Sequence, residues 1–356
     1  MTTPGTAPKQ DWLLYGANGY TGELIAEEAK RRGLQPVLAG RREATVRPLA
    51  EKLGLPWRAF ALDDPTVIAR ELRPFQAVLL CAGPFSATSA QVVEACLQSG
   101  THYLDITGEI GVFEACFARS AEAVASGVVL MPGVGFDVVP SDCLAAALAE
   151  KLPDAKTLEL AFAGEAGFSR GTAKTMIEGM PLGCAVRENG KIRDVPLAFR
   201  TADIPFRDRT RHAVSIRWGD VSTAWWSTHI PNITVYMAAR RSAVRWMKLA
   251  RPLVPLLGLG PVQRLLKARV DKVQGPDEKS RETARMHLWG RVTNAAGKTV
   301  EATLETPEGY ALTVQAALVC TERVVAGEVA PGCKTPSMAF GVGLVTGLAG
   351  CDLRFS

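Results

Sequence analysis

The sequence predicts an α/β protein: a Rossmann-type doubly wound parallel sheet, then a second α+β domain built on a mostly antiparallel sheet. Three observations predict it. Short apolar runs alternate with helical patterns up to about residue 140, which is the pattern of βαβ units. A glycine-rich turn, Gly16-Ala-Asn-Gly19-Tyr-Thr-Gly22, joins the first run to the first helical pattern. From about residue 156 to 321, strand patterns dominate.

The elements follow in order. Residues 13–15 form a short buried-type strand, the glycine turn follows, and residues 23–32 continue as a helix that Gly33 ends. A second strand over 35–39 closes on Gly40, Arg41 and Arg42. A third strand lies at 57–60, a helix at 65–72, and a strongly apolar strand at 77–82 that stops at Gly83-Pro84-Phe85. Apolar residues at Val92, Val93, Cys96 and Leu97 set a helix over 88–99. Then come a strand at 101–105, a helix at 111–126, a strand at 128–131 and a helix at 141–151, which Ser141 and Asp142 open as an N-cap pair.

Beyond it, strands that look antiparallel are expected at 158–162, 213–217, 233–236, 285–289 and 299–303, in a mostly antiparallel sheet, with a turn over 292–298 and helices at 172–179 and 309–326. The domain reading is therefore a disordered lead-in at 1–10, without the apolar core of a signal peptide, and a Rossmann domain at 11–140. A substrate and dimerisation domain at 141–330 follows, and a C-terminal segment at 331–356 packs back on the Rossmann domain.

Composition narrows the function. With 47% apolar and 22% charged residues the chain is of the ordinary globular kind. A net charge of +5, spread along the chain, lacks the clustered basic face that nucleic-acid binding requires. The eight cysteines are irregularly spaced with no C-x-x-C, and the four histidines lie far apart, so no metal site is read. Reduced thiols fit a cytoplasmic location. The apolar tract 249–266 is broken by prolines, glycines and arginines, which excludes a transmembrane segment there.

The opening turn carries the clearest chemistry. Its first glycine permits the tight turn, its second lets the backbone approach a diphosphate, and its third lets the helix pack on the strand. Amide groups there sit at the positive end of a helix dipole. Gly16, Asn18, Gly19, Tyr20, Thr21 and Gly22 are thus expected to cradle a dinucleotide. A carboxylate at the end of the second strand would select NAD; here Arg41 and Arg42 follow Gly40 instead, and guanidinium groups suit a 2′-phosphate. The cofactor read is NADP(H). The loop Cys81, Ala82, Gly83, Pro84 and Phe85, at the carboxyl end of a strand, is read as part of the same site.

Three carboxyls at strand ends, Asp105, Glu109 and Asp137, are candidate proton donors if burial brings them toward neutrality, with Tyr20 and Tyr103 as phenolic alternatives. The plainer reading makes Asp105 and Glu109 loop caps. Residues 240–272 hold nine lysines and arginines against one acid, Asp271, among apolar residues. That stretch suits a peripheral membrane contact or the docking of a partner carrying an acidic group, a hydrophobic lid, or a core helix pair with basic solvent faces.

Joined together, the Gly16–Gly22 motif, Ala39-Gly-Arg-Arg42, Cys81-Ala-Gly-Pro-Phe85, Tyr103-Leu-Asp-Ile-Thr-Gly-Glu109 and the run from Pro132 to Asp142 resemble the saccharopine dehydrogenase-like oxidoreductases, in the branch that includes trans-acting enoyl reductases. Ser169-Arg-Gly-Thr-Ala and Thr335-Pro-Ser-Met-Ala-Phe extend the similarity along the chain. The resemblance implies NADPH-dependent reduction of an enoyl C=C or a C=N bond in an apolar, lipid-like substrate, which a carrier could present, and a homodimer. It leaves open a non-catalytic NADP(H) sensor or lipid-surface scaffold, and an amino-acid dehydrogenase of the saccharopine type, although no lysine and histidine acid–base pair of that kind is found here.

Overall fold

The computed structural model describes residues 10–164, 169–270 and 275–356. Residues 1–9 of the expected lead-in, and Asp271 and Lys272, lie outside them. The chain divides into two units.

The first unit comprises Met1–Ile106, Ala115–Pro132 and Ala317–Lys334. Its strands are β1 (Gln10–Tyr15), β2 (Val37–Gly40), β3 (Trp57–Ala59), β4 (Phe75–Leu80), β5 (His102–Asp105) and β6 (Val129–Met131). Its helices are α1 (Tyr20–Arg31), α2 (Glu43–Leu53), α3 (Pro65–Leu72) and α4 (Phe85–Ser99). A last short strand, Gly332–Cys333, adds to the edge of β6, so that the sheet runs from it through β6, β5, β4, β1 and β2 to β3, all parallel. Leu13, Leu14, Leu38, Leu79 and Leu80 are fully buried, as a sheet covered on both faces demands. Strand order reverses between β1 and β4, which is where an open α/β sheet leaves its ligand crevice.

The sequence reading missed α2. Only Val46, Leu49 and Ala50 are buried in it, and Pro48 interrupts it, so its apolar stripe is too narrow to read. The single helix expected over 111–126 is two, α5 (Ile110–Ala118) and α6 (Ser120–Ala125), because Arg119 departs from helical dihedrals.

The second unit comprises Thr107–Glu114, Gly133–Ala316 and Thr335–Ser356. This interleaved division differs from contiguous domains at 11–140, 141–330 and 331–356: residues 317–334 belong with the first unit and 335–356 with the second. Its helix α7 spans Val139–Lys151, and its strands are β7 (Ala155–Ala163), β8 (Cys184–Glu188), β9 (Lys191–Val195), β10 (Thr201–Pro205), β11 (Thr210–Ser215), β12 (Asn232–Ala238), β13 (Arg285–Asn294) and β14 (Thr299–Pro307). With Asp352–Phe355 on the far edge they form a nine-stranded sheet, β8 and β9 branching from β12.

The sheet is mostly antiparallel, as expected, but β7 and β12, two strands that look antiparallel in sequence, pair in parallel, Leu158 with Ile233 and Leu160 with Val235. The long excursion between them permits the crossover that parallel pairing needs. The excursion carries helices α8 (Arg170–Gly179) and α9 (Asp220–Thr228). Strand β9 went unread because its residues are mostly exposed and polar. The β13–β14 turn is tighter than 292–298: β13 continues to Asn294, whose side chain accepts the Ala296 and Lys298 N–H groups.

Ser141 and Asp142 do not cap α7. The helix starts at Val139, with Val138 at its N-cap and Pro140 in the first turn. Both residues are buried, and Asp142 Oδ2 accepts the Ser337 N–H at 3.0 Å.

Candidate functional site

In the first unit the glycine turn is built by close approach. Gly16 has φ +85, and a Cβ on it would lie 2.8 Å from the Ala82 nitrogen and the Cys81 carbonyl carbon. The loop after β4 is thereby held against the turn, and the Cys81 N–H donates to Tyr15 O at 2.7 Å. A Cβ on Gly22 would stand 2.3 Å from Gly16 O, so only glycine lets α1 start so close to β1. The Gly16 and Ala17 N–H groups both donate to Ala39 O, fastening the turn to β2. Gly19 sits at the N-cap of α1 with no capping side chain. The N–H groups of Asn18, Thr21 and Gly22 make no backbone hydrogen bond among the described residues, leaving donors at the dipole's positive end.

Strand β2 ends on Gly40, where a Cβ would fall 2.9 Å from Asn18 Oδ1. Asn18 thus lies over the strand end, beside the exposed Arg41 and Arg42. Neither arginine joins an ion pair among the described residues; Arg42 serves α2 as N-cap through its carbonyl, which accepts from Thr45. In the loop 81–85, Gly83 is exposed and Phe85 is buried at the start of α4. The Thr88 hydroxyl donates to Ala82 O at 2.8 Å and holds that loop in shape. Burial foremost, and then the Asp105 charge, pushes the Cys81 thiol well above its ordinary range. These residues fit a dinucleotide: the turn is bare, amide donors remain, and two cations stand at the strand end.

Asp105 closes β5 with a fully buried side chain, and the Tyr103 hydroxyl donates to its Oδ2 at 2.5 Å. Burial foremost, and then the Asp105 charge, push the Tyr103 phenol well up. This pair is interior. Tyr20 is partly exposed in the first turn of α1.

Glu109 and Asp137 belong to the second unit. The Glu109 N–H donates to Thr107 Oγ1 at 3.1 Å, and Glu109 O accepts from Val112 and Phe113, so the residue starts α5. Asp137 lies against the same loop, since a Cβ on Gly108 would be 2.6 Å from its Oδ2. It makes no hydrogen bond among the described residues, is partly exposed, and desolvation pushes its carboxyl up to about 7.

Around Asp137 stand side chains that sequence reading did not find. Phe136 meets Phe162 edge-on at 6.2 Å between ring centroids, and Phe162 meets Trp218 at 4.5 Å. The Phe136 N–H donates to Thr313 Oγ1 at 3.0 Å. In helix Gly309–Val325, Tyr310 presents a hydroxyl that accepts the Ser169 N–H at 2.6 Å and pairs with Thr172 Oγ1 at 2.8 Å. Burial foremost raises the Tyr310 phenol, and the Asp137 charge adds to the shift. Phe136 precedes the candidate carboxyl Asp137 in sequence; no local pattern points to Tyr310, Phe162 or Trp218.

A second carboxyl group lies deeper. Asp142 and Asp220 are fully buried, and Asp142 Oδ1 and Asp220 Oδ2 have no hydrogen-bond partner among the described residues. Burial foremost raises both, and the neighbouring Asp142 and Asp137 charges raise Asp220 further.

The fold and the bare turn define the first unit as a dinucleotide-binding Rossmann domain. Comparison with known proteins makes this particular. Residues 12–131 match the family model described as the saccharopine dehydrogenase NADP binding domain. A trans-acting enoyl reductase of Mycobacterium tuberculosis is 32% identical over 149 residues, 37% of this chain and 34% of the relative. A saccharopine dehydrogenase-like oxidoreductase of Bos taurus is 31% identical over 150 residues, 36% of this chain and 35% of the relative. The chain therefore spans well under half the length of these curated relatives. Among solved structures, an apo saccharopine dehydrogenase (L-Glu forming) from Saccharomyces cerevisiae superposes with a TM-score of 0.70, covering 98% of this chain and 100% of that one at 12% identity. That likeness is one of fold.

Proposed function

We propose that the chain is an NADPH-dependent oxidoreductase that reduces an enoyl C=C bond in an apolar, lipid-like substrate, a C=N bond being the variant of the same chemistry. The observation that carries this reading is the bare turn Gly16–Gly22 with Arg41 and Arg42 at the next strand end, inside a segment of the NADP-binding family. The names borne by the relatives support the enoyl choice.

NADPH, when bound, supplies a hydride. The turn amides and the two arginines hold the cofactor's phosphates. Asp137 keeps a proton near neutral pH because its surroundings disfavour the carboxylate, and a carboxylic acid of that strength suits protonation of the atom beside the one reduced. Phe136, Phe162 and Trp218 offer an apolar wall for an acyl chain. In this reading Asp105 fixes Tyr103, and Glu109 sets the loop against which Asp137 rests. The substrate is an acyl group borne by a carrier, the working form is a homodimer through the second domain, and the location is the cytoplasm. No helix among the described residues is long and apolar enough to cross a membrane.

The test is NADPH consumption, followed by absorbance, with a medium-chain enoyl thioester, alone and on a carrier protein. Turnover that disappears in Asp137→Asn supports the reading. Tight NADPH binding without turnover across acyl, imine and saccharopine substrates overturns it in favour of a sensor, and oxidation of saccharopine in favour of an amino-acid dehydrogenase.

A further inference from the structure

The stretch from Arg240 to Val270 contains eight lysines and arginines and no acid. It folds as α10 (Arg241–Leu249), a 3-10 segment (Arg251–Gly258) and α11 (Gly260–Val270), all in the second unit. On α10 only Val244 is buried; it packs with Ala198 and Val214. The opposite side is apolar and open: Trp246 is 72% exposed and Leu249 70%. Helical spacing puts these two on one face. The surface continues through Leu253, Leu256 and Leu259 to Leu265, each more than half exposed.

The surface is anchored from beneath. Arg251 donates to Leu197 O and Ala198 O, Gln263 to Ile177 O, and Lys267 pairs with Glu178 at 2.6 Å. Beside the apolar side chains, Arg240, Arg245, Lys248, Arg264 and Arg269 are exposed and have no ion-pair partner among the described residues. A recess next to α10, lined by Thr201, His212, Arg245 and Lys248 among others, gathers donors at its edge. A reading of this stretch as a helix pair hidden in the core is excluded by these exposures. Exposed leucines and a tryptophan ringed by unpaired cations match the boundary of an anionic bilayer, where the aromatic ring sits at headgroup level and cations meet lipid phosphates.

We propose that α10, the 3-10 segment and α11 form a docking surface for an anionic lipid bilayer, with Trp246, Leu249 and Leu253 entering the acyl boundary and Arg245 and Lys248 meeting headgroup phosphates. The proposal rests on no part of the reductase reading.

The experiment is co-sedimentation of the full chain with phosphatidylcholine vesicles, with and without phosphatidylglycerol, at low and high NaCl. Vesicles containing brominated acyl chains report the depth of Trp246 by quenching, read against Trp246→Phe. Binding is expected to anionic vesicles only, to fall with salt, and to drop at least about tenfold in the double variant Trp246→Ala, Leu249→Ser. All substituted side chains are exposed, so circular dichroism and NADPH titration should match the parent. Failure to sediment with anionic vesicles, equal binding of parent and double variant, or salt-independent binding to neutral vesicles would overturn the proposal. So would a parent dimer that the double variant splits while vesicle binding is absent, because the surface then belongs to a second copy of the chain. NADPH titration reads the cofactor assignment separately.

Discussion

Gly108 and Asp137 are in such close register that a single added methyl group on the glycine would lie 2.6 Å from the Asp137 Oδ2 oxygen and 3.1 Å from its carboxyl carbon. The loop between Asp105 and Glu109 is therefore fitted around a carboxyl encoded some thirty residues later. Gly108→Ala must push that carboxyl away. If Asp137 is the proton donor, kcat/KM should fall at least about tenfold, since small misplacements at a reacting centre are costly. NADPH affinity should be unchanged. Steady-state kinetics beside a fluorescence titration separates the two, and full activity in the variant would remove Asp137 from the chemistry.

The pH dependence has a definite sign. With its carboxyl pushed up to about 7, Asp137 holds its proton below that pH and loses it above. Turnover limited by proton delivery should therefore decline as pH rises through about 7, and Asp137→Asn should abolish that limb along with most of the activity. A rate profile from mildly acidic to alkaline pH checks this.

The glycine turn is a steric prediction. Gly22→Ala places a methyl group 2.3 Å from Gly16 O and 2.9 Å from Ala17 Cα, both backbone atoms. Strain of this kind costs about 1–3 kcal/mol, and the displaced turn should lose NADPH binding. Calorimetric titration and a thermal melt measure the two effects, and parent-like values in both would refute the close packing.

Arg41 and Arg42 bear on cofactor choice. Replacing both by Ala should weaken NADPH at least about tenfold, the value of one lost charge-assisted contact to a phosphate, and leave NADH nearly untouched. Equal effects on the two nucleotides would dissociate these residues from the 2′-phosphate.

Asp220 makes a prediction about stability. Its carboxyl is raised far above the ordinary 3.8 by burial, then by the Asp142 and Asp137 charges. The folded chain thus holds a proton that the unfolded chain releases near pH 4, so the parent loses stability as pH rises from there. Asp220→Asn keeps the shape without the proton, and should flatten that decline. Urea midpoints across the pH range test it; identical slopes would show that Asp220 carries no such linkage.

Much of the first unit was legible because its signals are local. Strand, bare turn and helix are contiguous, and the glycines at 16, 19 and 22 are spaced by the geometry of one turn. The parallel strands, buried on both faces, announce themselves as apolar runs. Helix α2 escaped because three buried residues make too faint a stripe. In the second unit, β9 hid behind exposed polar residues, and the parallel match of β7 with β12 depends on a crossover that no local pattern encodes.

By itself the chain determined the dinucleotide turn, its two arginines and the alternation that builds the first sheet, since each depends on neighbours within a few turns of backbone. Tertiary structure alone decided which carboxyl is interior, which rests half-open against Gly108, and which aromatic rings gather near it. Desolvation and ring packing are set by residues distant in sequence, and the field at Asp137 exists only once Gly108, Phe136 and Tyr310 have been brought into the same unit.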